Sequence, residues 1–344
     1  MNSNKKPLLL ALSGIQPDHT PFWFMRQAGR YLPEYRELRK KAKNFLDFCY
    51  TPEMACEATL QPIRRFGMDG AIIFSDILVV PHALGVGVQF EEGEGPVLTP
   101  VTDEPTLKQL SLHAIEEKLA PVYEVLRLTK AALPKTTALI GFAGAPWTLA
   151  CYMVEGRSSK KFQQIKTIST HDGIFFDKLI SLLTRAVIKH LDLQIKAGAE
   201  IVQIFDSWAG LLTDNEYTNW VIEPTTKIVS EIKKLHPEIP VIGFPRQSGT
   251  KILSYARETG VNAVNFDTSV SIEWVKAKLQ PAVIVQGALD QNVLAGNKDA
   301  MLKEAKSMID MLKDKPFVFN LAHGILPTTP IENVAALSEF LKTA

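Results

Sequence analysis

Two arginines stand four residues apart in "PFWFMRQAGRYLPEYREL", Pro21 to Leu38, with Gln27, Ala28 and Gly29 between them and an apolar, aromatic run directly before. Arg26 and Arg30 so placed suit an anion, because a guanidinium offers paired N–H donors to a carboxylate or phosphate. They also suit a solvated helix face, with Arg30 and Glu34 paired at i,i+4. Gly29 and Pro33 weigh against the second reading. Pro33 fits the first turn of a helix and leaves both arginines in the approach to its N-terminus, where free N–H groups favour an anion.

Other chemistry-bearing residues are spread along the chain. Asp76 in "IIFSDILVV" precedes the apolar stretch "ILVVPHALG", where a carboxylate is costly to bury without a cationic or N–H partner; its alternative role is a helix cap. Asp206 and Ser207 in "IFDSWAG" divide between cap and site. His323 in "NLAHGILPTTP" is either a satisfied core histidine or a functional group at a bend, followed by an expected capping box of Thr329 and Glu332 with Pro330 at the first helical position. Tyr152, in "APWTLACYMVEGRSS" beside Trp147 and Met153, reads locally as packing.

The elements that must position these groups follow from periodicity. Eight short apolar runs recur, at 21–25, 71–74, 137–142, 201–205, 240–244, 262–266, 282–286 and 316–320. Their lack of alternation marks parallel strands buried on both faces. Longer amphipathic segments separate them, among them "PEYRELRKKAK", "IEEKLAPVYEVLRLTKAAL", "KLISLLTRAVIKHLDLQIKAG" and "NEYTNWVIEPTTKIVSEIKKL". Strand and helix alternating in this way predict a (β/α)8 TIM barrel spanning 1–344 as a single domain, with its active-site cleft at the C-terminal ends of the strands. A doubly wound open sheet is the alternative, but it needs a Gly-rich phosphate turn after its first strand, and no such motif is present.

At the barrel's strand ends the sequence places Arg26, Asp76, residues 141–146, Asp206 with Ser207, Arg246, Asp267, Asp290 and His323. A lysine is missing from this set, which argues against Schiff-base or pyridoxal phosphate chemistry. No His-x-His, His-Glu-x-x-His or His-x-Cys pattern accompanies the acids, so no metal is expected. Arginines, carboxylates, hydroxyls and a histidine without an evident cofactor suit a polyanionic organic ligand.

Composition narrows the setting. The 344 residues are 46% hydrophobic and 22% charged with net charge +1, which gives no global field for nucleic acid or a membrane surface. Cys49, Cys56 and Cys151 are too few and scattered for a disulfide framework, which points to a reducing cytoplasm. Lys5 and Lys6 before Leu8 to Leu12 imitate a secretory signal, but the apolar stretch stops at Ser13 and Gly14. No run is long enough to cross a bilayer.

Taken together, "FMRQAGRYLPEYRELR", "IIFSDILVVPHALG", "GFAGAPWTLACYMVEG", "FDSWAG" and "NLAHGILPTTP" resemble the signature regions of the uroporphyrinogen decarboxylase family, and the similarity covers nearly the whole chain. The resemblance implies a single-domain (β/α)8 barrel that forms homodimers, uses no cofactor and converts uroporphyrinogen to coproporphyrinogen by releasing four acetate carboxyls as CO₂. It implies that Arg26, Gln27 and Arg30 bind substrate carboxylates, that Asp76 meets the pyrrole N–H groups, and that Tyr152, Ser207 and His323 surround carboxylates in the same cleft. Asp206 stands where some members have glutamate. Two other readings remain: a corrinoid-linked methyltransferase, which would require zinc held by His and Cys, and a tetrapyrrole carrier that keeps the cleft without the chemistry.

Overall fold

The computed structural model describes residues 6–91, 95–157, 159 and 162–343. The strands are β1 (Gly70–Ile72), β2 (Val88–Glu91), β3 (Gly95–Leu98), β4 (Ala138–Gly144), β5 (Ile201–Asp206), β6 (Val241–Pro245), β7 (Ala263–Asn265), β8 (Ile284–Gln286) and β9 (Phe317–Val318). Seven of them form one parallel sheet in the order β1-β4-β5-β6-β7-β8-β9, while β2 and β3 pair as a separate antiparallel hairpin inserted after β1. The sheet's seven strands coincide with seven of the eight predicted runs.

The eighth run, 21–25, closes the ring. Phe22 bridges Phe319 in parallel, and the Phe319 N–H donates to the Pro21 carbonyl at 2.9 Å. On its other side the Asp69 N–H donates to the Phe22 carbonyl at 3.0 Å, just before β1. The segment therefore lies between the last and first strands. It is a weak strand by ladder geometry because Met25 turns its N–H to the Asn320 side chain instead of a backbone carbonyl.

Side chains pointing into the ring make two layers. Ile140, Ile201, Ile242, Ala263 and Val318 pack with Leu8, Ala11 and Leu12 of the short helix Pro7–Leu12, so the apolar stretch that imitated a signal forms part of the core at the barrel's closed end. Lys6 anchors that helix through Glu200 at 2.6 Å and the Thr137 carbonyl at 2.7 Å. A second layer is polar: the Gln286 amide donates to Gln203 and Asn265 and accepts from the Trp23 indole at 2.9–3.0 Å, all four side chains being buried. Each member of this layer comes from a different strand segment. The network therefore fixes four positions of the ring against one another through hydrogen bonds whose rupture would leave buried donors unpaired.

Helices wrap the outside. The long helix Gly173–Lys196 lies behind β4, where Gln194 bonds both the N–H and the carbonyl of Phe142 at 2.9 and 2.8 Å. The predicted "NEYTNWVIEPTTKIVSEIKKL" helix is realised in three parts, Asp214–Tyr217, a π-turn over Thr218–Ile222, and Glu223–Leu235. The expected capping box at Thr329 is absent. Pro330 has an extended ψ of 132° and is itself the N-cap of Ile331–Lys342, so Thr329 lies one residue too early to cap it. No helix among the described residues is long and apolar enough to cross a membrane.

Candidate active site

The site is built around Arg26, where the chain turns immediately after the ring-closing segment. Arg26 adopts φ +59°, a left-handed conformation that costs a non-glycine residue roughly 1–2 kcal/mol. The turn is held by the Gln27 N–H on the Phe24 carbonyl at 3.0 Å and by the Tyr31 hydroxyl on the Gln27 carbonyl at 2.8 Å. Gly324 is required beside it, since any side chain there would run into the Arg26 methylenes. The Met25 N–H bonds the Asn320 side chain, and the Ile325 N–H bonds the Met25 carbonyl at 2.9 Å. These contacts tie the Arg26 turn to the loop that carries His323.

His323 is half-buried. Burial, with Arg26 and Arg246 adding to it, holds its imidazole down to about 3, so the ring is neutral at physiological pH. The Gly324 N–H donates to Nδ1 at 2.6 Å, which assigns the proton to Nε2. The histidine therefore presents a neutral N–H donor.

Asp76 follows β1 in a short irregular stretch. One carboxylate oxygen accepts the Leu78 N–H at 2.8 Å; the other has no partner among the described residues. The next helix starts at Val79 with Leu78 as its N-cap, so Asp76 closes a local turn and does not cap that helix. Burial raises its carboxyl above the usual range, and the Leu78 N–H and Arg26 oppose that rise. Tyr152 lies on the helix Pro146–Glu155 after β4, its ring centroid 6.2 Å from that of Trp208. Burial pushes its phenol up to about 12, with the Asp76 carboxylate contributing in the same direction. Its sequence context suggests packing alone, yet the charges of Arg26, Asp76 and Arg246 all bear on this region.

The remaining candidates divide. Ser207 is half-buried directly after β5, in a turn fixed by the Trp208 N–H on Thr148 Oγ1 at 3.2 Å. Asp206, by contrast, is fully buried: Thr148 Oγ1 donates to it at 2.6 Å, its second oxygen has no partner, and burial raises its carboxyl to about 7. It caps no helix. Gln27 lies wholly beneath the surface with neither side-chain amide atom hydrogen-bonded. Arg30 is exposed and not paired with Glu34, which binds Arg65 through both oxygens at 2.8 and 3.1 Å. The field of Arg30 reaches Tyr35, while that of Arg26 reaches Asp76, Tyr152, Arg246 and His323. The helix does begin at Pro33, but the two arginines face different neighbours.

Thr148 is the site-supporting residue least visible in the sequence. Its spacing four residues before Tyr152 puts both on one side of the helix, a signal that helical periodicity contains. The three cysteines are free and buried, and burial pushes the Cys49 and Cys151 thiols upward. Among the described residues no group of three His, Cys, Asp or Glu side chains converges as a metal ion would need.

Comparison with known proteins identifies the family. Residues 3–344 match the family model described as Uroporphyrinogen decarboxylase (URO-D). A protein of Rhodospirillum rubrum named uroporphyrinogen decarboxylase is 48% identical over 341 residues, covering 99% of this chain and 98% of its own. One of the same name from Jannaschia sp. is 44% identical over 342 residues, covering 99% and 100%. Among solved structures, a methyltransferase from Methanosarcina mazei superposes with a TM-score of 0.79 over 98% of this chain and 97% of that one at 19% identity, which reports the shared barrel fold alone. With a family model spanning almost every residue and relatives near half identical from end to end, the chain belongs to the uroporphyrinogen decarboxylase family.

Proposed function

We propose that the cleft holds uroporphyrinogen with Asp76, Arg26, Tyr152 and His323 around the reacting acetate, and with Gln27, Arg30 and Ser207 completing the contacts to the macrocycle. The reaction is that of the family: a carboxy-lyase of haem biosynthesis that turns acetate side chains into methyl groups and CO₂. The observation that supports these assignments best is Asp76, whose unpartnered carboxylate oxygen lies in the field of Arg26 at the end of a barrel strand.

Loss of CO₂ leaves an electron pair on carbon, and the pyrrole can receive it. Protonation of the ring carbon beside the acetate-bearing position makes an iminium-like cation. As the bond from the acetate methylene to its carboxylate breaks, the electrons form an exocyclic double bond and neutralise the ring. A proton added to the methylene carbon gives the methyl group, and loss of the ring proton restores the pyrrole. The net change is one proton taken up and one CO₂ released per acetate.

Asp76, accepting pyrrole N–H bonds, stabilises the cationic ring more than the neutral ground state, which is the difference that accelerates a reaction. Burial raises its carboxyl, while the Leu78 N–H and Arg26 favour the charged form that this role requires. Arg26 pairs a carboxylate, and neutral His323 offers it an Nε2–H without adding charge. Residues of this chain supply each of these roles, so the reading includes no cofactor. A homodimer and a cytoplasmic location, which the resemblance implies, belong to the same reading; the buried free thiols are consistent with a reducing compartment.

Anaerobic incubation of the purified protein with uroporphyrinogen, following product carboxyl count, tests the proposal. Four CO₂ per macrocycle are expected. Binding without any CO₂ release would leave a carrier instead of an enzyme.

A further inference from the structure

We propose that Arg246 is a further carboxylate-binding arginine of the cleft, gripping a substrate carboxylate from the β6 side while Arg26 grips another from the ring-closing segment. The inference rests on the reading of the cleft as a polycarboxylate site. It begins with position: Arg246 follows the last residue of β6, at the same barrel end as Arg26, Asp76 and His323. Both of its peptide groups are fixed, the N–H on the Asp206 carbonyl and the carbonyl by the Gly210 N–H, each at 3.0 Å. The next residue, Gln247, is held at φ +58°, and Gly210 packs so closely on its backbone that a Cβ there would overlap it. The side chain thus projects from a base with little freedom.

The guanidinium itself is unpaired. Arg246 is half-buried, yet among the described residues its side chain makes neither an ion pair nor a hydrogen bond. The carboxylate whose charge bears on it, Asp267, already accepts the Gln247 N–H at 2.5 Å and the Ser269 N–H at 2.9 Å, one on each oxygen. A partly buried cation with no counter-charge is costly, and the charge of the exposed Arg26 adds repulsion to it. An anion brought by the ligand relieves both. The charges of Arg26 and Arg246 both bear on His323, at the barrel end that carries all three. A macrocycle with carboxylates around its rim can meet both arginines at once, and bidentate geometry favours arginine over lysine at each.

The test is a fluorescence titration of wild type, Arg246→Gln and Arg246→Lys with uroporphyrin, the oxidised and unreactive octacarboxylate, at two salt concentrations, beside CO₂ release from uroporphyrinogen and a melting curve for each protein. Arg246→Gln should bind at least tenfold more weakly, with a shallower salt dependence, while Arg246→Lys recovers part of the affinity and both melt within a few degrees of wild type. Equal affinity of Arg246→Gln and wild type would overturn the proposal, whatever the turnover. Equal loss in the lysine and glutamine variants, with lowered melting points in both, would also overturn it by assigning Arg246 a structural role. Tight wild-type binding without CO₂ release would instead defeat the enzymatic reading and leave this one standing; no binding by wild type would defeat both.

Discussion

Asp76 and the two arginines near the N-terminus make separable demands on the reaction. Asp76→Asn keeps the size and the acceptor for the Leu78 N–H but cannot offset a cationic pyrrole, so kcat should fall by about a hundredfold, equivalent to about 3 kcal/mol of transition-state stabilisation. Asp76→Glu keeps the charge displaced by one methylene and should retain more activity. Because the Leu78 bond survives in asparagine, melting temperatures should be nearly equal; a fully active Asp76→Asn enzyme would refute the electrostatic role. Arg26 and Arg30 are both exposed, but the charge of Arg26 bears on Asp76 and His323 and that of Arg30 on Tyr35. Arg26→Ala should therefore lower kcat as well as raise KM, and Arg30→Ala should mainly raise KM. Steady-state constants for both variants decide the matter, and identical profiles would contradict the separation that the geometry suggests.

At the level of elements, the helix Pro146–Glu155 and the end of β5 are joined by Thr148, which donates to Asp206 and accepts the Trp208 N–H, while the Trp147 indole donates to the Trp208 carbonyl at 3.0 Å. Tyr152 and Ser207 are held relative to one another by this joint. Asp206 protonates more readily in the folded chain, at about 7, than its ordinary value of 3.8, so the folded state binds the extra proton between those pH values. Its contribution to stability is complete below about pH 3.8, declines as pH rises, and is lost above about 7. Asp206→Asn should thus gain thermal stability relative to wild type on going from pH 5 to pH 8, by roughly a few degrees. A melting-temperature difference that does not change with pH would show that Asp206 does not titrate in this range. The sequence shows the strands plainly, because parallel strands buried on both faces cannot alternate, and the strand-end rule then locates Arg26, Asp76, Arg246 and His323 without any contact being known. Tyr152 is not legible in that way. Its place depends on how a helix seats against a neighbouring loop, and only the resemblance pointed to it. Thr329 misled for the opposite reason: a capping pattern is local, but the long loop after His323 fixes where the helix begins.

For the whole molecule, the reading without a cofactor predicts full turnover after exhaustive dialysis against a chelator; complete loss restored by one divalent metal would defeat it. Sedimentation should give twice the 38.2 kDa chain mass if the homodimer forms. The ring closes by joining the two ends of the chain: Met25 and Asn320, hydrogen-bonded neighbours, are 295 residues apart. During synthesis, then, the ribosome must release nearly the entire polypeptide before the final seam can form. Until that moment the 21–25 segment and β8 both present open edges, which are templates for pairing with other nascent chains. A message truncated anywhere before residue 316 should yield insoluble product, while trimming a few residues from the far C-terminal helix should not, and holding factors at the ribosome exit should matter more for this chain than its ordinary composition suggests.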